Sequence, residues 1–195
     1  MRTFLALDID DAIRRRIEQF MDGVREFAPD VRWVKPESLH VTLKFIGEQP
    51  LEVVDRIREG LSGNKAETCS INFRGYGFFP TAKSARVFWV GIEAGPELKR
   101  LADAIDCACL PLGIDKEDRE FSPHLTLARG GSGAPGRRKE DKVNRRFAKL
   151  QEKLSVLSPP EFGTMTAREF FLYESKTSAE GARYRKLERF DLVIL

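Results

Sequence analysis

Histidine is scarce in this chain of 195 residues, which holds only His40 and His124. Cysteine is nearly as rare. Its three copies, Cys69, Cys107 and Cys109, are odd in number, and the pair around Ala108 lacks the two-residue spacer of zinc and redox motifs. They are expected to be reduced core thiols. No apolar run approaches the ~18 residues of a membrane-crossing helix, and the opening Met-Arg-Thr-Phe-Leu-Ala-Leu-Asp meets an acidic residue too early for a secretory signal. A cytoplasmic chain without membrane association is the expectation. Also missing are the HExxH, Gly-x-Ser-x-Gly, P-loop and dinucleotide-binding signatures. Two histidines without a companion set of carboxylates or thiolates do not complete a usual zinc or binuclear shell, so neither metal nor other cofactor is expected.

What is present fits an ordinary globular protein. With 42% hydrophobic and 32% charged residues, composition argues against disorder, and the length suffices to bury a core without staples. The net charge of +3 hides a local excess: residues 129–149 hold eight basic and two acidic side chains. That stretch either meets a phosphate-rich partner or is a solvated helix face. The preceding Gly130-Gly131-Ser132-Gly133-Ala134-Pro135-Gly136 reads as a loop, either a lid or a plain surface connection.

Self-similarity gives the organisation. His-x-Thr-Leu occurs twice, at His40–Leu43 and His124–Leu127, 84 residues apart. A strand-like run (Phe4–Ile9) and a helical pattern (Asp11 to Phe27) precede the first copy; Val87–Ile92 and a helical pattern from Glu97 to Leu110 precede the second. A helix near Leu51–Leu61 follows the first, and a basic one near Lys139–Leu154 the second. Each half then ends in a hairpin, Ile71–Phe79 with Arg86–Ile92 and Thr166–Tyr173 with Tyr184–Leu192, while Val31–Val34 is an extra short strand. The expected fold is α+β and bilobal, one domain over residues 1–195, with two antiparallel sheets, helices on the outer faces and a pseudo-twofold cleft between them.

Side chains alternate along a strand. His40 and Thr42 therefore share one face, with Val41, Leu43 and Phe45 on the other; His124 and Thr126 repeat the arrangement. Imidazole, with an ordinary pKa near ~6.5, allows one histidine to be neutral while its partner is charged. That pairing suits phosphodiester hydrolysis, in which one group deprotonates water and the other protonates the leaving oxygen. The threonine hydroxyls are candidates to hold the non-bridging phosphate oxygens. The pattern alone does not say which histidine is the acid.

His40-Val41-Thr42-Leu43-Lys44-Phe45-Ile46-Gly47, Phe121-Ser122-Pro123-His124-Leu125-Thr126-Leu127-Ala128-Arg129 and the C-terminal Leu172-Tyr173-Glu174-Ser175 with Tyr184 and Phe190 together resemble the two-histidine (2H) phosphoesterases. Within them the chain is similar to the LigT-like RNA 2′,3′-cyclic phosphodiesterases, also called 2′-5′ RNA ligases. The resemblance implies cleavage of an RNA 2′,3′-cyclic phosphate end to a 2′-phosphate, with 2′-5′ ligation as the reverse reaction. It also implies His40 as proton donor, His124 as proton acceptor and Arg129 as a phosphate contact. Strict alternation sets Arg129 opposite His124, so the strand must end or twist before it. Phe45 and Phe121 are either base-stacking residues or core. The expected partner is RNA with a cyclic phosphate terminus, bound by a monomer without an obligate protein partner. Rival readings are a phosphodiesterase for small cyclic nucleotides, an ADP-ribose cyclic phosphate or 2′-5′ oligonucleotides, and a non-catalytic nucleotide- or RNA-binding module.

Overall fold

The computed structural model describes residues 1–130, 145–178 and 181–194, and among these described residues lie nine strands and four α-helices. In order they are β1 (Arg2–Leu7), α1 (Asp11–Val24), β2 (Arg32–Trp33), β3 (Val41–Glu48), α2 (Leu51–Ser62), β4 (Cys69–Phe79) and β5 (Val87–Ala94). Then follow α3 (Pro96–Cys109), β6 (His124–Arg129), α4 (Ala148–Ser155), β7 (Glu161–Ala167), β8 (Glu169–Ser178) and β9 (Gly181–Asp191).

The strands form two sheets, ordered β3-β1-β8-β9 and β2-β6-β5-β4-β7, with every pairing antiparallel. Leaving out the short β2, the two orders match term by term: β3 with β6, β1 with β5, β8 with β4, β9 with β7. The expected α+β architecture of two antiparallel sheets is therefore observed. Its assembly differs from a simple doubling of the sequence. The β4–β5 hairpin, which lies in the first half of the chain, belongs to the sheet of the second motif. The first motif's sheet is completed by β8 and β9 from the C-terminal end.

Three further expectations need correction. The run Thr166–Tyr173 is not one strand, because the chain leaves one sheet at Ala167 and enters the other at Glu169. The turn at Arg168 is a change of sheet, and β7 before it had no counterpart in the sequence reading. Strand β1 starts at Arg2 and ends at Leu7, and α1 stops at Val24, where a 3₁₀ turn over Arg25–Phe27 takes over. Of the expected basic helix at 139–154, residues 139–144 lie outside the described residues, as do 131–136 of the glycine-rich loop; a 3₁₀ turn over Arg145–Phe147 leads into α4.

Helices form where the apolar spacing is helical. Ile13, Ile17, Met21 and Val24 of α1 are buried on one face, as are Leu98, Leu101, Ala102, Ile105 and Cys109 of α3. Pro96 opens α3, where its missing N–H has no helical partner to lose. The helices cross over between sheets. Phe20 of α1 meets Phe162 of β7 edge-on at 5.3 Å and Arg16 donates to the Phe162 carbonyl at 2.9 Å, so the first repeat's helix packs on the second motif's sheet. Conversely α3 packs against β3, and Lys44 of β3, only 2% exposed, reaches Asp106 of α3 at 2.5 Å and the Asp115 carbonyl at 2.8 Å. One hydrophobic cluster consequently contains residues of both sheets. Among the described residues no helix is long and apolar enough to cross a membrane.

Candidate active site

Strands β3 and β6 contact each other and so bring the two motifs together. In each, pairing to the neighbouring strand skips the leucine of the motif. Thr42 faces Ala6 and Lys44 faces Leu5, leaving Leu43 unpaired; Thr126 faces Trp89 and Ala128 faces Phe88, leaving Leu127 unpaired. The leucine of each His-x-Thr-Leu is thus a β-bulge, and a bulge shifts the alternation of faces by one residue. Consecutive burial at Leu43-Lys44 and Leu127-Ala128 is its trace.

The bulges reassign two side chains. Phe45 pairs with Phe4 as Thr42 pairs with Ala6, and because positions two apart share a face, Phe45 lies on the His40 side. The expectation that it sits with Val41 and Leu43 is corrected. By the same argument Arg129, paired with Val87, shares the face of Thr126 and His124. The apparent conflict between strand alternation and a cleft-facing Arg129 is removed by the bulge at Leu127, without the strand ending before it.

Both imidazoles are held alike. His40 Nδ1 lies 2.7 Å from the Ser38 carbonyl and His124 Nδ1 lies 2.8 Å from that of Ser122. A carbonyl only accepts, so each Nδ1 carries the proton and donates, and Nε2 is left as the nitrogen available to a substrate. This device went unread in the sequence, although a serine two residues before each histidine extends the repeat to Ser-x-His-x-Thr-Leu.

Aromatic rings steady both. His40 is flanked by Phe4 at 4.8 Å and edge-on by Tyr184 at 5.1 Å, with Tyr173 stacked on Phe4 at 5.1 Å. His124 meets Phe79 edge-on at 4.9 Å, and Trp89 lies 6.2 Å away. Of the two candidate stacking residues, Phe45 is 55% exposed on the cleft face, while Phe121 packs against the main core. Thr42 and Thr126 are half-buried between their histidines and the bulges.

Burial lowers the pKa of both histidines. For His40 the hydrogen bond to Ser38 opposes this, Arg129 adds to it, Asp8 opposes it and His124 adds to it; for His124 the bond to Ser122 opposes burial and Arg129 adds to it. Arg129 therefore acts on both imidazoles. Arg146 donates to the Gly130 carbonyl at 3.1 Å, just beyond Arg129. Among the described residues no three histidine, cysteine, aspartate or glutamate side chains gather as a metal site.

The model of the 2′-5′ RNA ligase superfamily matches residues 9–172. The chain belongs to that superfamily. Members similar to it include the protein named RNA 2′,3′-cyclic phosphodiesterase from Archaeoglobus fulgidus, 34% identical over 191 residues that cover 98% of this chain and 100% of the relative. Another of the same name, from Methanothermobacter thermautotrophicus, is 32% identical over 196 residues covering 98% and 99%. Among solved structures of the superfamily's fold, E. coli LigT complexed with 3′-AMP superposes with a TM-score of 0.77 at 26% identity, covering 98% of this chain and 97% of that one.

Proposed function

We propose that this chain hydrolyses RNA 2′,3′-cyclic phosphate ends to 2′-phosphates by metal-independent acid–base catalysis. Phosphodiesterase activity follows from the names of its relatives. The finer mechanism is supported above all by one observation: two imidazoles held alike through Nδ1, which leaves Nε2 of each for a substrate, both feel the charge of Arg129. In this reading His124 Nε2 takes a proton from water as the water oxygen attacks phosphorus. The bond from phosphorus to O3′ breaks, and His40 Nε2–H gives its proton to that oxygen. Thr42 and Thr126 donate to the non-bridging oxygens, and the Arg129 fork balances the charge gathering there. Asp8 favours a protonated His40, consistent with the donor role. With a 5′-hydroxyl attacking phosphorus in place of water, the same groups break the bond to O3′ and join the two fragments in 2′-5′ linkage.

Phe45 offers an exposed ring for the terminal base, and the site reads phosphate and ribose rather than a base sequence. The chain works in this reading as one bilobal domain and a cytoplasmic monomer.

The test is turnover of a short RNA ending in a 2′,3′-cyclic phosphate, in EDTA. His40→Ala and His124→Ala should each lower kcat ~10²–10⁴-fold with unchanged circular dichroism, and Thr42→Ala or Thr126→Ala should cost less. Survival of activity in either histidine variant, or its loss in EDTA with recovery on adding a divalent ion, overturns the mechanism.

A further inference from the structure

Arg14 of α1 does not reach the reacting groups as the mechanism draws them, yet its guanidinium is wired into the segment that carries His40. Nη1 donates to the Pro36 carbonyl at 2.6 Å and, at the limit of a hydrogen bond, to the Leu39 carbonyl at 3.5 Å. Nη2 donates to Asp8 Oδ1 at 2.7 Å and to the Ile9 carbonyl at 3.2 Å. The guanidinium is largely shielded, with 18% of the side chain exposed, so these contacts are made in a site where water competes poorly.

Pro36 and Leu39 bracket the 3₁₀ turn Pro36–Ser38. This turn presents the Ser38 carbonyl to His40 Nδ1. Without an anchor it is a short 3₁₀ segment between two strands, an element with little stability of its own. Arg14 ties both of its ends to the end of β1, where Asp8 stands. Asp8 is in turn held by Lys186 of β9, whose Nζ lies 2.6 Å from Oδ2 and 3.9 Å from the centre of the Phe171 ring. The chain of contacts runs from β9 through Asp8 and Arg14 to the carbonyl that fixes the imidazole.

We infer that Arg14 is a positioning residue for His40: it holds the Pro36–Ser38 turn so that the Ser38 carbonyl selects the Nδ1–H tautomer and aims Nε2 into the cleft. The inference rests on the acid–base role proposed for His40. The charged or titratable groups bearing on that imidazole are Asp8 after β1, Arg129 and His124 of β6, Tyr173 of β8 and Tyr184 of β9 beside the ring, and, through Asp8, Arg14 of α1 and Lys186 of β9.

A readout independent of turnover is the nitrogen NMR of the two imidazoles, which reports tautomer directly. Arg14→Met should turn His40 from a single Nδ1–H tautomer into a mixture while His124 is unchanged. It should lower kcat about 10–100-fold with KM within about twofold, because a misdirected proton donor affects the transition state more than binding. Arg14→Lys, which keeps the charge but not the fork, should fall between and serves if the methionine variant does not fold. Arg16→Met is the matched control on the same helix: it removes the bond to the Phe162 carbonyl and should lower stability without touching the His40 tautomer or kcat. An unchanged His40 tautomer in Arg14→Met, or in Arg14→Lys should the former not fold, overturns the inference. So does equal disturbance of both histidines, or an Arg16→Met variant that behaves the same way. If the wild-type protein shows no turnover, the functional reading fails, and the tautomer result still decides the role of Arg14.

Discussion

Phe45 stands five residues after His40 and Arg129 five residues after His124, and the bulged leucine between gives them equivalent places in the two sheets. The two motif strands thereby differ, with an aromatic ring at one position and a guanidinium at its counterpart. Arg129 also depresses both imidazoles, which sets a pH prediction. Because burial and Arg129 lower both pKa values, the optimum of kcat/KM should lie on the acid side of ~6.5. The anionic substrate favours the imidazolium, so the optimum of kcat should lie higher. Arg129→Met removes a positive charge from both histidines, so both limbs of the kcat/KM profile should move to higher pH while the peak falls. A shift of one limb alone, or in the other direction, would place Arg129 elsewhere. The two histidines and threonines were legible from a short repeated motif. The face of Arg129 was not, because a leucine fits a bulge as well as a regular strand position and leaves no mark in the sequence.

Among the elements, β3 and β5 carry the most consequence for the site. Lys44 is the residue after the bulge in β3, and its buried ion pair with Asp106 joins the first motif strand to α3. Periodicity cannot announce such a residue, since a lysine in a strand reads as solvent-facing. Lys44→Ala leaves Asp106 and the Asp115 carbonyl without their partner, and should lower unfolding stability by ~3 kcal/mol, measured by urea titration. A loss under about 0.5 kcal/mol, the range of a plain surface change, would mean the strut carries no weight. In β5, Trp89 lies across Gly77 of β4, so that a Cβ at position 77 would fall within the indole ring. Gly77→Ala should push Trp89 against Phe79 and His124, destabilise by ~1–3 kcal/mol and alter tryptophan fluorescence. Wild-type fluorescence and stability would contradict the close packing. Helices α1 to α3 were readable from 3.6-residue spacing. Strand β7 was missed because its boundary with β8 is a single residue, Arg168, inside what looks like one continuous β-prone run.

At the scale of the molecule, the sequence repeat and the two sheets do not coincide. The repeated strand, helix and motif strand can be seen in the sequence, but the exchange of hairpins and helices between sheets depends on contacts far apart in the chain, such as Arg16 with Phe162. The shared core has a chemical consequence for the thiols. Cys69 and Cys109 are buried and their thiols are pushed up to about 11, chiefly by desolvation, whereas Cys107 is exposed. At mildly alkaline pH the native protein should yield one fast-reacting thiol with a disulfide reagent and three after unfolding. Two or three fast thiols in the folded protein would mean the core around α3 is open.

The central claim is that two histidines, without metal, open a cyclic phosphate toward the 2′ side. It is tested most directly by phosphorus NMR of a short RNA 2′,3′-cyclic phosphate incubated with the protein in EDTA. The cyclic resonance should be replaced by that of a 2′-phosphomonoester. A cyclic end left intact, or a 3′-phosphomonoester as the main product, would contradict it.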